Sequence, residues 1–593
     1  MMIRTRRIGP SIIKTWGKYI KPYVPYFILG PLCMIIEVVG EVLMPKYLAM
    51  VINNAVTGGP WYSVGVMGMM ILTALLMMAG GVGGSYFGAK ASVYFASDLR
   101  RDIYAKVHTF SFSNIDKFST GSLVTRLTND VTQMQNFIAT LLRMCLRSPG
   151  ILIGALIMAI TLRPKLSLVL AVSVPLLVTC ILFIVLNGFP RFGKMQGKVD
   201  GLNNTVQENV TNVRVVKSFV REDRETEKFK AANTDLKETG MSAMKIMIFL
   251  NPVMTLFMNL TVIAILWFGG KMVLQETDPM LPGDLSAFIT YCTQILQSLM
   301  MVTMMLVMSS RAMASAKRIR EVLYEAPDID DQNALCKDEK VEKGSVEFKN
   351  VTFRYYKNSE DAVLSDINMK IAAGSTVGII GSTGSGKTTL VSLIARLYDA
   401  DEGEVLVDGI NVREYSLKNL RDGVGMVLQK NVLFSGTIAE NLRWGDENAT
   451  DEEMKKAADY AQADKFVSSF TNGYDTELEQ GGVNVSGGQK QRLCIARALL
   501  KKPKILILDD STSAVDTATE AQIRRAFKEE LSGSTKIIIA QRISSVCEAD
   551  EIFVINEGKI AGHGTHDFLL ENCEEYSEIY YSQMENKKDK EVG

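Results

Sequence analysis

The sequence predicts an α-helical membrane domain of six spans followed by an α/β domain. Composition is the first reason. Hydrophobic residues make up 47% of the 593 residues and charged residues 22%, which is too apolar for a soluble enzyme and too polar for a chain lying wholly in lipid. Segregation is the second reason: long apolar runs stop near Met308, and short β-rich runs alternating with helical runs begin after Gly344.

Six apolar runs are long enough to cross a bilayer, which takes about 20 helical residues. They are Tyr26–Ala49, Val64–Phe87, Phe137–Ile160, Leu166–Phe189, Ile246–Val273 and Phe288–Met308. The connections after the second and fourth runs are long, polar and helical in spacing. We therefore expect the spans to continue beyond the membrane as helices that end in short turns, at Asp116–Gly121 and Asn212–Glu222.

Basic residues predict the orientation. They cluster before the first span and after the second, at Arg4, Arg6, Arg7, Lys14, Lys18, Lys21, Arg100, Arg101 and Lys106. The positive-inside rule places both clusters in the cytoplasm, and an even number of spans places the C-terminal domain on the same side. We expect a multi-pass protein of the cytoplasmic membrane with cytoplasmic N- and C-termini.

Changes in composition predict the domain boundaries. We expect the membrane domain over residues 1–320, an acidic linker over 321–344, the α/β domain over 345–584 and a charged tail over 585–593. The net charge is zero, which gives no reason to expect nucleic acid as a partner. The eight cysteines are scattered without a CxxC pair, so neither a disulfide framework nor a zinc site is predicted.

A glycine-rich motif of the form GxxxxGK[ST] lies in the α/β domain. It comprises Gly381, Ser382, Thr383, Gly384, Ser385, Gly386, Lys387 and Thr388. A strand-like run precedes it and a helical run beginning at Thr389 follows, the context of a P-loop whose backbone amides surround phosphates. Lys387 is suited to reach the β- and γ-phosphates, and the Thr388 hydroxyl is suited to bind Mg²⁺. The motif predicts ATP and Mg²⁺ as ligands, with Thr389 also at the nucleotide.

Two further motifs fit the same chemistry. The apolar run Ile505–Leu508 ends in Asp509, a carboxylate suited to hold Mg²⁺ at a strand tip. A second glycine-rich helix start also suits phosphate. It comprises Val485, Ser486, Gly487, Gly488 and Gln489. One nucleotide does not need two cradles from one chain, so we expect the second cradle to serve the ATP of a facing subunit.

The order of these motifs, completed by Ser513-Ala514-Val515-Asp516, resembles the ATP-binding-cassette family. With six preceding spans the chain resembles the exporter branch, in which half-transporters pair. The resemblance implies an α/β P-loop nucleotide-binding domain with a β-rich subdomain and a helical subdomain. It also implies that Tyr355 stacks on adenine, that Gln429 contacts Mg²⁺ and that Asp516 belongs to the D-loop. The two intracellular turns would be coupling helices, and VSGGQ the signature that acts in trans.

Two catalytic positions depart from the family pattern. Asp510 stands where the family usually has the glutamate that activates water. A general base has to lie within about 2.6–3.2 Å of its proton donor, and the aspartate side chain is one methylene shorter than glutamate. Gln541 stands where the family has a switch histidine, and an amide cannot take a positive charge. The chain therefore resembles the degenerate-site subunit of bacterial heterodimeric multidrug exporters. We expect a partner half-transporter that keeps both the glutamate and the histidine.

Several membrane-domain residues are candidates for the substrate cavity. Glu37 and Glu41 share a helix face in the first span, and a charge there costs at least about 2.5–3.5 kcal/mol. They either bind a cationic drug or a proton, or form a structural pair at a water-filled cavity; Glu37, further from the end of the span, is the better candidate for binding. Met304 and Met308 lie on one face of the sixth span, where helix packing explains them equally well. Arg147 is expected to be structural.

The expected function is ATP-driven export of amphipathic compounds, drugs above all, taken from the cytosol or the surrounding membrane lipid. A lipid or peptide exporter is the nearest alternative within transport. An ATP-gated regulatory or channel-like protein is the alternative from another class, because Asp510 and Gln541 weaken the case for hydrolysis at this chain's own site.

Overall fold

The computed structural model describes residues 12–57, 60–274, 280–332, 334–356, 361–510 and 517–591. The chain divides into two compact units. The first contains the residues up to His108 together with Gly121–Tyr324, and the second contains Thr109–Thr120 together with the residues from Glu325 onward. A short segment between two helices of the first unit therefore packs with the second unit.

Long helices make up the first unit. In chain order, the helices up to Tyr324 are α1 (Ile12–Ile20), α2 (Val24–Thr57), α3 (Pro60–His108), α4 (Phe112–Phe118), α5 (Thr120–Thr125), α6 (Val131–Met144), α7 (Arg147–Leu162), α8 (Pro164–Thr211), α9 (Val213–Ser218), α10 (Glu222–Met247), α11 (Leu250–Val273) and α12 (Pro282–Tyr324). Within the described residues six stretches are long and apolar enough to span a membrane: Thr15–Val56, Val64–His108, Thr120–Leu162, Pro164–Thr211, Glu222–Val273 and Pro282–Val302. The prediction of six spans is confirmed.

Glycines allow α2 and α3 to approach closely. A Cβ on Gly80 would lie 2.8 Å from the Cys33 carbonyl oxygen, and one on Gly84 would lie 2.3 Å from the sulfur of the buried Met34. A larger residue at either position would push the two helices apart. Between membrane helices such close van der Waals contact matters more than hydrophobic burial, because lipid chains are as apolar as the side chains.

The two turns that the sequence predicts between spans contain the short helices α4 and α9. Helix α4 starts after Ser111, whose backbone N–H donates to the Asn114 side chain in a capping box, so the turn begins earlier in the chain than the predicted Asp116–Gly121. Within the second unit, α4 is held by the Tyr398 hydroxyl, which donates to Asp116 at 2.8 Å. Helix α9 lies inside the predicted range of the second turn.

Two main sheets organise the second unit. Its strands are β1 (Val346–Phe353), β2 (Leu364–Ile371), β3 (Thr376–Gly381), β4 (Glu402–Val407), β5 (Ile410–Asn411), β6 (Val424–Val427), β7 (Gly436–Thr437), β8 (Glu477–Leu478), β9 (Ile505–Asp509), β10 (Thr535–Ile539), β11 (Glu551–Asn556) and β12 (Lys559–Gly564). The order β2-β1-β4-β5 forms an antiparallel sheet, which is the β-rich subdomain. The other order, β12-β11-β3-β10-β9-β6, is parallel from β11 to β6, and β7 and β8 form a separate pair.

The register of the parallel sheet creates the site. Ile539 of β10 pairs with Ile379 of β3 on one side and with Asp509 of β9 on the other. The carboxyl ends of the three strands therefore meet at one edge, which is where α/β sheets bind ligands. The glycine-rich loop, Asp509 and the segment after Ile539 are brought together there.

Helices of the second unit cover the parallel sheet and form a helical subdomain. They are α13 (Lys387–Ile394), α14 (Leu417–Gly423), α15 (Ile438–Arg443), α16 (Asp451–Tyr460), α17 (Asp464–Val467), α18 (Gly487–Leu500), α19 (Thr517–Glu530), α20 (His566–Asn572) and α21 (Glu574–Glu591). The helical subdomain has its own core, in which Leu442, Met454 and Leu493 are buried together. The predicted fold class is confirmed in both parts.

Candidate functional site

The loop between β3 and α13 has the backbone that a phosphate cradle requires. Gly384 and Gly386 have φ of +87° and +98°, a region that disfavours any side chain. Gly386 is the residue before α13, so the free N–H groups of the first helical turn face the loop. Lys387 spans the loop, with its Nζ donating to the carbonyls of Gly381 at 2.9 Å and Ser382 at 2.6 Å. Burial lowers the pKa of Lys387, and Asp509 is the largest opposing influence.

A cavity of about 400 Å³ lies beside this loop. Its lining brings together residues from widely separated segments: Tyr355, Val363, Thr383, Gly384, Gly386, Lys387, Thr388, Thr389, Gln429, Asp509, Asp510, Ile539 and Gln541. Gly381, Ser382 and Ser385 complete the loop behind Lys387, where the Ser385 hydroxyl lies 3.3 Å from Nζ. The volume is within the range of about 300–1,000 Å³ typical of small-molecule sites.

Tyr355 forms one wall of this cavity. Its hydroxyl lies 2.9 Å from the Thr389 hydroxyl, and its ring meets the edges of Phe353 and Tyr398 at centroid distances of 5.0 and 5.3 Å. The side chain is still 46% exposed, so a flat ligand has a ring surface on which to stack. Adenine is a flat ligand of the kind that can stack on the Tyr355 ring.

A hydroxyl and a carboxylate meet at the tip of β9. The Thr388 hydroxyl contacts the two carboxylate oxygens of Asp509 at 2.8 and 3.1 Å. Burial raises the pKa of Asp509, and the hydrogen bond from Thr388 is the largest opposing influence. Two such oxygen donors fit Mg²⁺, which takes few ligands from the protein and the rest from phosphates and water.

Asp510 is held in an unusual conformation between two amide side chains. Its φ is +47°, which is uncommon for a residue other than glycine, and its N–H donates to the Ile539 carbonyl at 2.9 Å. The Gln541 amide donates to the Asp510 carboxylate at 3.1 Å. Burial raises the pKa of Asp510, and a hydrogen bond from Gln429 is the largest opposing influence. The two departures from the family pattern are therefore direct neighbours.

Gln583 on α21 is a site neighbour that sequence reasoning missed. Its side-chain Nε2 donates to the Gln541 carbonyl at 2.8 Å, and its Oε1 accepts from the Ile543 N–H at 3.0 Å. One amide thus holds the backbone on both sides of Arg542. No sequence motif identifies Gln583 as a site residue, because it is the fold that brings α21 beside the segment from Gln541 to Ile543.

The second glycine-rich helix start has a different setting. Ser486 caps α18: its hydroxyl accepts from the Gln489 N–H at 3.3 Å, while its own N–H donates to the Gln489 side chain at 2.9 Å. Ser486 and Gly487 are exposed, Gly488 is half-buried and Val485 is buried. Among the described residues, none of this signature lines the cavity at the P-loop. Ser513–Asp516, with the predicted D-loop aspartate, lies outside the described residues.

Comparisons with known proteins decide the family. Residues 27–299 match the ABC transporter transmembrane region, and residues 364–513 match the ABC transporter domain. The uncharacterized ABC transporter ATP-binding protein YfiB of Bacillus subtilis is 37% identical over 95% of this chain and 98% of its own length. The chain belongs to the ABC transporter family.

Two other relatives of this ABC transporter extend the comparison. The ATP-dependent lipid A-core flippase of Desulfotalea psychrophila is 34% identical over 82% of this chain and 84% of its own length. The structure of a bacterial Atm1-family ABC exporter with ATP bound is 25% identical, with a TM-score of 0.76 over 96% of this chain and 99% of that one. The ABC transporter is thus an exporter of the half-transporter type, a multi-pass membrane protein that couples transport to ATP hydrolysis.

In the membrane domain of the ABC transporter, Glu37 and Glu41 share one partner. A single Nη2 of Arg147 lies 3.3 Å from Glu37 and 3.2 Å from Glu41. The Glu37 carboxylate is also packed against α3, where a Cβ on Gly81 would come within 3.1 Å of it. The contacts favour the structural interpretation of the two glutamates and agree with the structural role expected of Arg147.

The predicted methionines of the substrate cavity are described only in part. Met308 is 43% exposed on α12, whereas the side chain of Met304 lies outside the described part of the chain.

Proposed function

We propose that this chain is the degenerate-site subunit of a heterodimeric exporter in a bacterial cytoplasmic membrane. Its own P-loop would form a site that binds ATP and hydrolyses it slowly. Its signature would complete the fast site on a partner that has the usual glutamate and histidine. Amphipathic compounds would be moved outward, with drugs among them as the family resemblance implies.

The observation that carries the proposal is the hydrogen bond from Gln541 to Asp510, at 3.1 Å. A general base needs a free carboxylate oxygen within hydrogen-bond reach of the attacking water. Asp510 is one methylene shorter than glutamate, and Gln541 occupies one of its oxygens. Gln541 also lacks the titratable nitrogen with which a histidine could respond to the γ-phosphate.

The other residues of the cavity fit ATP binding. The N–H groups at the start of α13 and the ammonium of Lys387 would hold the phosphates, and Tyr355 would stack on adenine. Thr388 and Asp509 would hold Mg²⁺, with Gln429 as a further ligand; the ion would neutralise charge on the phosphates. Binding needs only these groups, whereas fast hydrolysis also needs the base.

The exposed start of α18 supports a partner subunit. Ser486 and Gly487 present helix N-terminal donors to solvent in this chain, and such donors attract phosphate. A nucleotide on a facing P-loop would satisfy them. The partner would supply a glutamate base and a switch histidine.

A lipid substrate is the second candidate, because one relative at 34% identity is named as a lipid A-core flippase. An amphipathic drug and a lipid share a polar head and an apolar body. In contact with a substrate, the cluster of two carboxylates and one guanidinium would favour cationic head groups over anionic ones.

Turnover by the purified full-length chain tests the proposal. We expect slow Mg-ATP hydrolysis by the unmodified chain, and an increase of about a hundredfold after combining Asp510→Glu with Gln541→His, the usual contribution of general base catalysis. Asp422→Glu combined with Gln332→His makes the same chemical changes at exposed positions outside the site and should leave turnover unchanged. Fast hydrolysis by the unmodified chain alone would refute the heterodimer.

A further inference from the structure

A second cavity of about 400 Å³ lies in the nucleotide-binding unit, between α19 and the parallel sheet. Its walls come from α19, from the first residues of β3 and β10, and from the turn that follows Gln541. Among the described residues, its lining shares no member with the P-loop cavity. Nothing in the proposed transport cycle uses it.

The lining of this cavity is strongly basic. Arg524, Arg525 and Lys528 project from α19, Lys536 comes from β10, and Glu548 is the one acidic side chain among the described lining residues. Like charges placed this close repel one another, and an anion between them would remove that cost. The cavity therefore favours a ligand with several negative charges.

One of these cations is fixed in place. Lys536 is only 4% exposed, and its Nζ donates to the carbonyls of Leu531 at 2.8 Å and Ser534 at 3.0 Å. Asp550 is its nearest acidic influence and opposes the lowering of its pKa by burial. Two bonds leave one of the three Nζ donors available, so the ligand would meet a buried and oriented positive charge.

The other cations suit phosphate. Guanidinium groups bind phosphate oxygens through two parallel N–H donors, and Arg524 and Arg525 bring two such groups. Neither Arg525 nor Lys528 has an ion pair with a described side chain. Phe527 and Ile538 add apolar surface beside the cations, where the organic part of a phosphorylated compound can pack.

The cavity is connected to the ATP site through one turn. Arg524 Nη1 donates to the Ser544 carbonyl at 2.6 Å, and the Ser545 hydroxyl donates to Glu520 of α19 at 2.7 Å. Both serines belong to the 3-10 turn Ile543–Ser545, which begins two residues after Gln541. A phosphate that drew Arg524 away from Ser544 would remove one of these two hydrogen bonds and loosen the attachment of the turn to α19.

We propose that this cavity binds a small phosphate-bearing anion, and that its occupancy changes the position of Gln541 through the contact between Arg524 and Ser544. The binding is independent of the transport function proposed above. The effect on Gln541 rests on that function, because it assumes that Gln541 limits hydrolysis.

Calorimetric titration of the full-length chain with inorganic tripolyphosphate, and separately with ADP, tests the binding. A Lys387→Ala background weakens the P-loop cradle. We expect Arg525→Ser combined with Lys528→Ser to weaken the remaining binding at least about tenfold, since charge-assisted bonds to phosphate are lost. The probe that binds more tightly identifies whether the site takes a nucleotide or a free polyphosphate.

A charge-matched control separates this site from general electrostatic attraction. Lys455→Ser combined with Lys456→Ser removes the same charge from exposed positions of α16 and should leave binding unchanged. Equal losses in the two double variants, or no binding in the Lys387→Ala background, would overturn the proposal. In the chain with an intact P-loop, tripolyphosphate should alter Mg-ATP turnover more than it does in the Arg525→Ser, Lys528→Ser variant. Binding of tripolyphosphate without that effect would keep the site and remove the proposed role of Gln541.

Discussion

Two glycine-rich helix starts lie in the same unit and have opposite surroundings. The start of α13 is enclosed: Lys387 and Thr389 are buried, and Tyr355, Asp509 and Asp510 line the same cavity. The start of α18 faces solvent at Ser486 and Gly487, with only its own Gln489 as a capping partner. Both helices present free N–H donors suited to phosphate.

Under the proposed function, one chain contributes halves to two ATP sites. The half around α13 would have a weakened base and would take its signature from the partner. The half around α18 has an intact signature and no P-loop near it within the described residues. Mutations at the two helix starts should therefore affect different sites, which makes the comparison testable in an assembled heterodimer.

The largest effect is expected from Gly487→Ala. A Cβ at Gly487 meets nothing within 4 Å in this chain, so the fold should tolerate the change. The added methyl group would stand between the helix donors and the phosphates of the partner's nucleotide. Loss of such a phosphate contact costs about a hundredfold in turnover, which steady-state ATP hydrolysis by the heterodimer would measure.

Gly533→Ala is the matched control for that prediction. Gly533 also has open space around its Cβ position, and it lies in the loop after α19, away from both helix starts. Turnover should be unchanged in this variant. If Gly487→Ala also retains full turnover, then α18 does not approach a nucleotide in trans.

A smaller effect on turnover is expected from Lys387→Ala. The change removes the ammonium from the enclosed P-loop, so nucleotide retention at this chain's own site should be lost. Total hydrolysis should fall less than about tenfold, because the partner's site performs most of it and Gly487 would be intact. Photolabelling of each subunit with an azido-ATP analogue measures nucleotide retention at each site. Equal losses of turnover in Lys387→Ala and Gly487→Ala would contradict the proposed difference between the two sites.

Local sequence was enough to predict the parts of the site that depend on local structure. The P-loop from Gly381 to Thr388 and the strand ending in Asp509 lie where their patterns indicate, because glycine torsions and strand ends are encoded within a few residues. Six spans were predictable for a similar reason, since apolar length alone identifies a membrane helix.

Contacts between distant segments were not predictable in this way. The hydrogen bond from Gln541 to Asp510 depends on strand register, and the attachment of Arg147 to both Glu37 and Glu41 depends on helix packing. The first turn begins earlier than the predicted Asp116–Gly121, because Ser111 caps α4 and no apolar pattern signals that contact. In each case the missing information was which partner a polar group would find.

The smallest effect is expected from Gln583→Ala, which acts on the enclosed site alone. The change removes both hydrogen bonds that hold the backbone around Arg542, and with them the support of Gln541. A net hydrogen bond is worth about 1 kcal/mol, and the two lost here act on Gln541 only indirectly, through the backbone. We therefore expect an effect equivalent to about one bond, with nucleotide leaving this chain's own site about fivefold faster. Gln583→Glu keeps the acceptor for Ile543 but loses the donor to Gln541, and should have an intermediate effect. Tyr581→Phe on the same helix is the control. Equal rates of nucleotide release from Gln583→Ala and from the unmodified chain would show that α21 does not position Gln541.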